Sequence, residues 1–460
     1  MSVQAVVTTG IYCVPSCSAR PLPGNVVGYA TPAAAEAAGF RACLRCRPYR
    51  SAPLGAAGPE LVCRAVHLVD EGALDGGTEV DLARRLGVSA RHLRRLFAEH
   101  VGTTPDRLAR SHRTHFARRL LDDTDLSVTD IAWASGFGSL RQLNRACQEI
   151  FRASPTELRA RRRRGDLLDA DGGLTLRLPF HGPLDWPLML GYFERRAIAG
   201  VELVDGGSYR RTILVDGDPG VIELSQGGPD HLLLRAHLPH VRGLIHVVEG
   251  ARQIFALDRD PTAANTHLAL DPVLSPLVAR SPGLRVPGTW DAYETGVRAI
   301  VGQQVSVAGA STVTARIVQR VGSPVPGLEP LGLTHTFPDP ATLASADLSG
   351  IGMPGARASA IKAFAAAVDK GEVPLDGSLP LDGLVAAICS VPGLGPWTAG
   401  VIALRMGEPD TFPAADLGLR RAANPGGPAL STGELLARAD AWRPHRAAAA
   451  LRLWLGESGG

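Results

Sequence analysis

The chain has 460 residues, which is too long for one hydrophobic core and predicts three or four domains. Its 45% hydrophobic content is typical of globular proteins and excludes a disordered or fibrous chain. The net charge of +3 is divided unevenly, because residues 1–165 hold 24 Arg against 15 acidic residues, whereas residues 166–460 hold 24 basic against 30 acidic residues. The basic half therefore favours binding to nucleic acid.

Neither a membrane span nor a secretory signal is visible in the sequence. No run approaches the roughly 20 apolar residues of a membrane span. The N-terminus lacks a basic region followed by an apolar run. We therefore expect a cytoplasmic protein with no membrane partner.

Four of the seven cysteines form two close pairs near the N-terminus. Three residues separate Cys13 from Cys17, and two separate Cys43 from Cys46. An odd number of cysteines disfavours a disulfide framework, whereas four thiolates satisfy tetrahedral Zn²⁺. The spacing alone is typical of a structural zinc site that stabilises a small domain.

The segments TTGIYCVPSCSAR and EAAGFRACLRCRP around these pairs resemble the N-terminal domain of Ada-type methylphosphotriester repair proteins. The resemblance implies that Cys13 is both a zinc ligand and the acceptor of a methyl group from a DNA phosphotriester. Zinc keeps a sulfur as a nucleophilic thiolate, and methylation makes the site less negative, which favours contact with phosphate.

The family carries a further segment before TTGI, where this chain has seven residues. We expect either that translation starts earlier or that the domain is trimmed. A trimmed domain would be a zinc module that anchors the protein without sensing methylation.

A linker is predicted at 51–60 (SAPLGAAGPE), followed by helical periodicity over residues 60–163 and the basic run RARRRR at 159–164.

Residues 79–97 and 128–151 each predict a helix, a glycine turn and a serine-capped helix. Either copy alone also fits an ordinary helical hairpin. Together they resemble the AraC-type DNA-binding domain, although Arg152 stands where that family usually has glycine, which weakens the prediction of a tight turn. The residues predicted to read base edges are Arg91, His92, Arg95, Ser139, Arg141 and Gln142.

From Leu174 the pattern changes to short apolar segments separated by Gly, Pro and Asp. LTLRLPF, RRTILVDG, VIELSQ and HLLLRAHL predict strands, and LDWPLMLGYFERRAI predicts a helix between the first two. This mixture indicates an antiparallel sheet with helices on one face. From about Pro287 the pattern is helical to the end, apart from Pro/Gly loops.

The segment VPGLGPWTAGVIALRMGEPDTFPAADLGLRRA (391–422) predicts two helices joined by a glycine-rich turn. The backbone amides at Gly393 and Gly395 suit an anion such as DNA phosphate. The hairpin is followed by Pro413-x-x-Asp416, which resembles the helix-hairpin-helix base-excision glycosylases. Residues 290–310, 352–364 and 442–454 extend the resemblance to AlkA-type 3-methyladenine glycosylases over nearly all of residues 174–458.

This second resemblance implies a role for each residue of a glycosylase site. Asp416 matches the catalytic carboxylate, and a helix N-cap is a compatible alternative. Trp397 and Trp454 match pocket faces for a cationic alkylated base, although either could be a core residue. Val401 stands where the family has tyrosine, which predicts a wider pocket.

The resemblance also implies DNA contacts around the hairpin. Gln303 and Gln304 are expected to contact DNA, with Gln304 at the position of the family's apolar wedge. The carbonyl groups expected to hold a monovalent cation against phosphate are those of Cys389, Val391 and Leu394.

Lysine is scarce, since the chain has only Lys362 and Lys370. Bifunctional relatives place a Schiff-base lysine just after the hairpin, where this chain has Trp397. We therefore predict a monofunctional enzyme that leaves an abasic site.

The sequence as a whole predicts a multidomain α+β protein with four domains. These are an Ada-type four-cysteine zinc domain at 1–50, an all-α AraC-type double helix-turn-helix domain at 58–164, an antiparallel α+β domain at 174–282 and an all-α helix-hairpin-helix glycosylase domain at 283–458. We predict a DNA-3-methyladenine glycosylase fused to a regulator of the alkylation response, associated with the nucleoid. Expected cofactors are Zn²⁺ and a monovalent cation; expected partners are alkylated duplex DNA, promoter DNA and RNA polymerase.

The alternative is a transcription regulator whose glycosylase-like half is a silent DNA-binding scaffold. Asp416 favours catalysis, because a scaffold has no need for a carboxylate at the damaged sugar. No motif for repair of O6-alkylguanine is present, so that activity is not predicted.

Overall fold

A computed structural model describes residues 3–19, 21–50, 58–163, 166–168 and 173–457. Residues 51–57 of the linker predicted at 51–60 lie outside the described residues, as do Arg20 of the first cysteine motif and Arg164 of the basic run. The chain forms two compact units. Unit 1 comprises Met1–Phe180 and His231–Gly250, and unit 2 comprises His181–Asp230 and Ala251–Gly460.

The cysteine-bearing module of unit 1 consists of β1 (Val3–Val6), β2 (Ile11–Cys13), β3 (Val26–Tyr29), α1 (Pro32–Ala37) and β4 (Arg41–Ala42). The sheet order is β3-β1-β2-β4, and β2 runs parallel to β4 with Tyr12 opposite Ala42. Cys13, the last residue of β2, and Cys43, the first residue after β4, therefore lie at the same end of these two strands. The Cys43 N–H donates to the Tyr12 carbonyl at 3.0 Å, which holds the two cysteines side by side.

The helical part of unit 1 contains α2 (Glu60–Asp70), α3 (Glu79–Arg85), α4 (Ala90–His100), α5 (Pro105–Asp123), α6 (Val128–Ala134), α7 (Leu140–Phe151) and α8 (Pro155–Ala160). The predicted serine caps are confirmed. Ser89 Oγ accepts the His92 N–H and Ser139 Oγ accepts the Gln142 N–H, both at 3.2 Å. Each cap starts the second helix of one helix-turn-helix, which is the expected position of a recognition helix.

Three residues with left-handed backbone conformation shape the turns of this helical part. Gly87 and Gly136 have φ of 70° and 75° in the two helix-turn-helix turns. Arg152 ends α7 with φ of 56°, so the turn is tight although glycine is absent. The Arg152 guanidinium donates to the Gly39 carbonyl at 3.4 Å, a contact that accompanies this less favourable conformation.

A buried ion-pair network joins the end of the cysteine module to α5. The Asp122 carboxylate is fully buried and lies 2.5 Å from the Arg118 guanidinium. It also lies 3.5 Å from Arg47 and 3.4 Å from Arg50, and the Tyr49 hydroxyl donates to it at 3.1 Å. Because a buried carboxylate is stable only with such partners, this network ties the cysteine module to the helical part of unit 1.

The following elements are β5 (Leu174–Pro179), α9 (Trp186–Glu194), β6 (Glu202–Asp205), β7 (Ser208–Val215), β8 (Asp218–Gln226), β9 (His231–His237) and α10 (Leu244–Ile254). Within unit 1, β5 and β9 pair antiparallel; within unit 2, β6, β7 and β8 form an antiparallel meander. The four predicted strands are confirmed. Sequence analysis missed β6, whose short ELVD segment contains a buried Glu202.

The remaining elements of unit 2 are α11 (Thr262–Leu268), α12 (Leu274–Arg280), α13 (Ala292–Val301), α14 (Val307–Val321), β10 (Ser323–Pro324), β11 (His335–Thr336), α15 (Pro340–Ser345), α16 (Gly355–Asp369), α17 (Leu381–Cys389), α18 (Pro396–Met406), α19 (Leu417–Ala422), α20 (Thr432–Ala439) and α21 (Arg446–Glu457). One apolar core includes side chains of α13 and α16–α18, and a second includes side chains of α12 and α19–α21. Among the described helices, none is long and apolar enough to cross a membrane.

Candidate active site, zinc centre and DNA interface

Asp416 stands at the start of α19, at the end of the Pro-x-x-Asp segment. Its Oδ1 accepts the Leu419 N–H at 3.0 Å, so the predicted N-cap is confirmed. The backbone N–H of Asp416 donates to the Pro413 carbonyl at 2.9 Å, which fixes the turn before the helix. The side chain is half-buried and lies at the positive end of the helix dipole.

Both candidate pocket tryptophans contact the Asp416 carboxylate through their indole N–H groups. Trp397, in the first turn of α18, donates from Nε1 to Oδ2 at 2.8 Å. Trp454, on α21, donates from Nε1 to Oδ1 at 2.9 Å. Both side chains are half-buried, and Trp454 also packs against the apolar core of α12 and α19–α21. Val401 is also half-buried, one helical turn after Trp397 on the same side of α18.

The glycine-rich hairpin joins α17 to α18. Gly393 has φ of 86°, and a Cβ there would lie 3.0 Å from the Ala360 Cβ, so both conformation and space favour glycine. Gly395 is the N-cap of α18, and no side chain caps this helix end. The amides at the start of α18 therefore suit an anion.

The predicted carbonyl ligands of a monovalent cation lie along this hairpin. Cys389 ends α17, and the Val391 carbonyl accepts the Leu394 N–H at 3.1 Å within the turn.

A strained turn between α13 and α14 carries the predicted wedge. Gln304 is exposed and has φ of 56°, a conformation that is uncommon for a residue other than glycine. The preceding Gln303 points back to the hairpin: its amide donates to the Thr398 hydroxyl at 3.0 Å and to the Gly393 carbonyl at 3.4 Å. The Arg357 guanidinium donates to the Gln303 carbonyl at 2.5 Å. The two hydrogen bonds from the Gln303 amide thus hold the wedge turn next to the hairpin.

The four cysteines predicted to bind zinc come together in unit 1. The sulfur atoms of Cys13, Cys17, Cys43 and Cys46 all lie within 4.8 Å of one another. Tetrahedral Zn²⁺ with bonds of about 2.3 Å to sulfur needs sulfur atoms roughly 4 Å apart, so the donor set fits this ion. Backbone N–H groups support the cluster, since Ala19 donates to Cys17 Sγ at 3.5 Å, Arg45 to Cys43 Sγ at 3.4 Å and Val14 to the Cys46 sulfur.

The pKa values of the cysteine thiols also indicate that the cluster needs a bound cation. Burial, a hydrogen bond with Cys43 and repulsion from the other sulfurs raise the pKa of the Cys13 thiol well above its usual value. Burial is also the largest cause that raises the pKa of the Cys46 thiol to about 12. Four thiolates this close repel one another, so all four ionise only when a cation offsets their charge.

The predicted base-reading residues lie near the starts of α4 and α7. His92 is half-buried, and its Nδ1 lies 3.1 Å from Arg95 Nη2. Gln142 accepts the Gly138 N–H through its side-chain oxygen at 3.0 Å, so its carboxamide is partly engaged within the turn. Ser139 serves as the cap. The exposed members of the predicted set are Arg91, Arg95, Arg141 and Gln142.

Family models match four successive segments of the chain. These are the metal binding domain of Ada at residues 2–49, a helix-turn-helix domain at 82–161, the AlkA N-terminal domain at 175–291 and the HhH-GPD superfamily base excision DNA repair protein at 297–433. A probable bifunctional transcriptional activator/DNA repair enzyme AlkA of Mycobacterium tuberculosis is 39% identical over 458 residues, covering 98% of this chain and 92% of the relative. This chain belongs to that AlkA family.

Two further matches concern the glycosylase half of this AlkA-family chain. DNA-3-methyladenine glycosylase 2 of Escherichia coli is 33% identical over 288 residues, covering 61% of this chain and 96% of the relative. The solved structure of a 3-methyladenine DNA-glycosylase from Archaeoglobus fulgidus has a TM-score of 0.55 and 22% identity, covering 62% of this chain and 98% of the other. At this identity the structural likeness concerns the fold.

The AlkA-family chain is therefore a DNA repair glycosylase joined to a zinc-binding, DNA-binding regulator. The fold class and the four-cysteine zinc centre predicted from the sequence are confirmed. Sequence analysis missed the contacts of Arg357 and Thr398 with Gln303. The segment GMPGARASAIKAF contains Arg357, but no spacing rule links it to a glutamine more than fifty residues earlier.

Proposed function

We propose that this AlkA-family protein releases alkylated purines such as 3-methyladenine from duplex DNA, with Asp416 as the catalytic carboxylate. The observation that carries the proposal is a half-buried carboxylate at a helix start, held by the indole N–H groups of Trp397 and Trp454. A silent DNA-binding scaffold would have no use for this arrangement. The similarity to DNA-3-methyladenine glycosylase 2 of Escherichia coli supports the same substrate class.

The chemistry proposed for Asp416 is electrostatic. As the glycosidic bond breaks, its electron pair leaves with the base, and positive charge develops on the sugar. An alkylated purine is already cationic, so it departs as a neutral base without a strong general acid. An ionised Asp416 facing C1′ stabilises the developing cation and orients the water that adds to the sugar. The proton released by that water passes to the carboxylate or to solvent.

The proposed pocket selects for charge and shape. The faces of Trp397 and Trp454 attract a cationic base, because the ring face is electron-rich. Val401 is smaller than the tyrosine of related enzymes, so the pocket is wider on this side. Gln304 fills the gap left by the flipped base and can form hydrogen bonds with the orphaned partner.

The phosphate contacts are proposed to come from the hairpin. Amides near Gly393 and Gly395 bind a phosphate, and the carbonyls of Cys389, Val391 and Leu394 hold a monovalent cation against it. The two lysines support a monofunctional reaction, since Lys362 lies on α16 and Lys370 directly follows it, while Trp397 occupies the place of a Schiff-base lysine.

The test is a base-release assay on methylated DNA, with the wild type compared to Asp416→Asn. The variant should bind DNA normally but lose turnover by about 10²-fold or more, since one preorganised charge on a developing cation contributes several kcal/mol. The strand should stay intact until alkali is added. Full activity of Asp416→Asn would contradict the catalytic assignment, and a borohydride-trapped complex would contradict the monofunctional one.

A second activity is proposed for the zinc centre: Cys13 accepts a methyl group from a DNA methylphosphotriester. Backbone N–H groups donate to the sulfurs of Cys17 and Cys43, whereas among the described residues no such bond reaches Cys13 Sγ. N–H donors lower the nucleophilicity of a thiolate, so Cys13 should react in preference to these two. Zn²⁺ bound at the site would keep the sulfur ionised at neutral pH.

The transfer proposed for Cys13 is a direct displacement. Cys13 Sγ forms a bond to the methyl carbon while the carbon–oxygen bond breaks, and the electron pair stays on the phosphodiester oxygen. Mass spectrometry of the Cys13 peptide after incubation with methylated DNA should reveal one added methylene mass per chain. An unmodified peptide in a zinc-loaded protein would contradict the proposal.

The regulatory role is proposed to follow from this transfer. Methylation makes the cluster less negative, which favours promoter DNA, where Arg91, His92, Arg95, Arg141 and Gln142 would read base edges and RNA polymerase would be recruited. Footprinting with methylated and unmethylated protein tests this step. Equal promoter affinity of the two forms would contradict it.

A further inference from the structure

Three N–H donors converge on the Asp416 carboxylate. Oδ1 accepts from the Leu419 amide at 3.0 Å and from Trp454 Nε1 at 2.9 Å, and Oδ2 accepts from Trp397 Nε1 at 2.8 Å. The donors come from three helices of unit 2, namely α18, α19 and α21. Each bond lies in the range of a good hydrogen bond, so the orientation of the carboxylate is fixed from three directions.

A second tryptophan–aspartate pair in the same unit differs from the Asp416 site because its negative charge is offset by an arginine. Trp442 is fully buried and donates from Nε1 to Asp271 Oδ2 at 3.0 Å. Asp271 also forms an ion pair with Arg438 at 3.1 Å, which offsets its negative charge. Among the described residues, the contacts of Asp416 include no ion pair. The Asp271 pair therefore has the composition of a structural contact, whereas Asp416 keeps its charge.

Neutral donors suit a group that must act on a cation. An arginine beside Asp416 would hold it in place but would cancel much of its field at the sugar. Indole and backbone N–H groups stabilise the ionised carboxylate while leaving the net charge of the site at −1. The three bonds thus combine a fixed orientation with an uncompensated charge.

We propose that Trp397 and Trp454 are positioning residues for Asp416 through their indole N–H groups, in addition to presenting faces to the base. The inference rests on the proposed glycosylase function. Among the described residues, Oδ1 accepts two hydrogen bonds and Oδ2 accepts one, so Oδ2 keeps an acceptor direction. The geometry points to Oδ2 as the oxygen that faces the reacting sugar or its water.

This arrangement links base binding to catalysis. A base that stacks on either ring presses on a side chain that also orients the carboxylate. A well-seated base would therefore find Asp416 in its productive orientation, whereas a poorly seated base would disturb it. Discrimination between bases should then appear in kcat as well as in binding.

The experiment separates the ring face from the N–H group in the full-length protein. Trp397→Phe and Trp454→Phe keep an aromatic face and remove the donor. A sharper probe is benzothienylalanine at either position, which keeps the bicyclic ring and replaces N–H by sulfur. Trp442→Phe is the matched control, because it removes an indole bond to an aspartate away from the reaction. Single-turnover rates, DNA affinity and pH–rate profiles are measured for each.

The expected result at each of the two positions is a fall in the chemical rate of about tenfold, which is the effect of losing one hydrogen bond to a charged group. DNA affinity should stay within about threefold. In the Asp416→Asn background the same substitutions should have a much smaller effect.

Two outcomes would overturn the inference. One is a benzothienylalanine variant with a wild-type rate, which would leave the rings only as faces. The other is an undiminished effect of Trp→Phe in the Asp416→Asn background. Both are distinct from failure of the proposed function, which would appear as full activity of Asp416→Asn itself.

Discussion

The two candidate reactive centres obtain a stable anion in different ways. Cys13 lies among three other sulfurs within 4.8 Å, and burial together with those neighbours raises the pKa of its thiol. Asp416 is held by three neutral N–H groups and, among the described residues, has no ion-pair partner. A thiol needs a cation to ionise at neutral pH, whereas a carboxylate is already ionised and needs only to stay uncompensated.

The centres also differ in how far along the chain their parts are spread. The four cysteines fall within residues 13–46 and are brought together by one small sheet. Asp416 depends on tryptophans at 397 and 454, which belong to separate helices. Local unfolding of the cysteine module should therefore be enough to destroy the zinc centre. The geometry of the Asp416 site should instead depend on packing across the helical domain.

The largest expected effect is the loss of the zinc centre. Cys43→Ser should remove bound zinc and unfold the cysteine module, because a domain with so small a core depends on its metal. Base release should change by less than about twofold, since the cysteines belong to unit 1 and Asp416 to unit 2. Metal analysis and the base-release assay measure the two effects.

Cys63→Ser is the control for that experiment, because Cys63 lies on α2 outside the cluster. A zinc-loaded Cys43→Ser protein would contradict the four-cysteine assignment. An equal loss of glycosylase activity would show that the two centres are not independent.

An intermediate effect is expected for Asp122→Ala, which removes the buried carboxylate that pairs with Arg118 and one of the two that pair with Arg47, the other being Asp166. Removing one member of a buried ion pair costs about 3–5 kcal/mol. The control is Asp125→Ala, whose exposed pair with Arg162 at 2.7 Å should contribute at most about 1 kcal/mol.

Zinc release during urea unfolding reports the stability of unit 1 in both variants. Similar midpoints for Asp122→Ala and the wild type would exclude the network as an anchor of the cysteine module. Base release should again be little changed, which would sharpen the contrast between the centres.

The smallest effect is expected for Val401→Tyr, which narrows one wall of the proposed pocket. The change should alter the ratio of kcat/KM for 3-methyladenine and 7-methylguanine by about three- to tenfold, the size typical of a changed apolar contact. Release of both bases should persist, because Asp416 and its donors are untouched. Val401→Leu is the matched control for added volume without an aromatic ring. An unchanged ratio would place Val401 outside the pocket.

The sequence by itself determined the features that depend on residues close together in the chain. The two cysteine pairs, the serine caps at Ser89 and Ser139 and the glycine turn at Gly393 were predicted because ligand spacing and capping depend on residues a few positions apart. The four strands were predicted from alternation, whereas the short strand β6 was missed because its buried Glu202 breaks the usual apolar pattern.

Only the tertiary structure decided which way the decisive side chains point. The sequence identified Trp397, Trp454 and Asp416 as one site, but it did not predict that both indole N–H groups reach the carboxylate. It also treated Arg152 as a poor turn residue, although a contact with Gly39 accompanies its left-handed conformation. Such contacts join residues up to 113 positions apart, and their geometry depends on how helices pack. No local propensity encodes that packing.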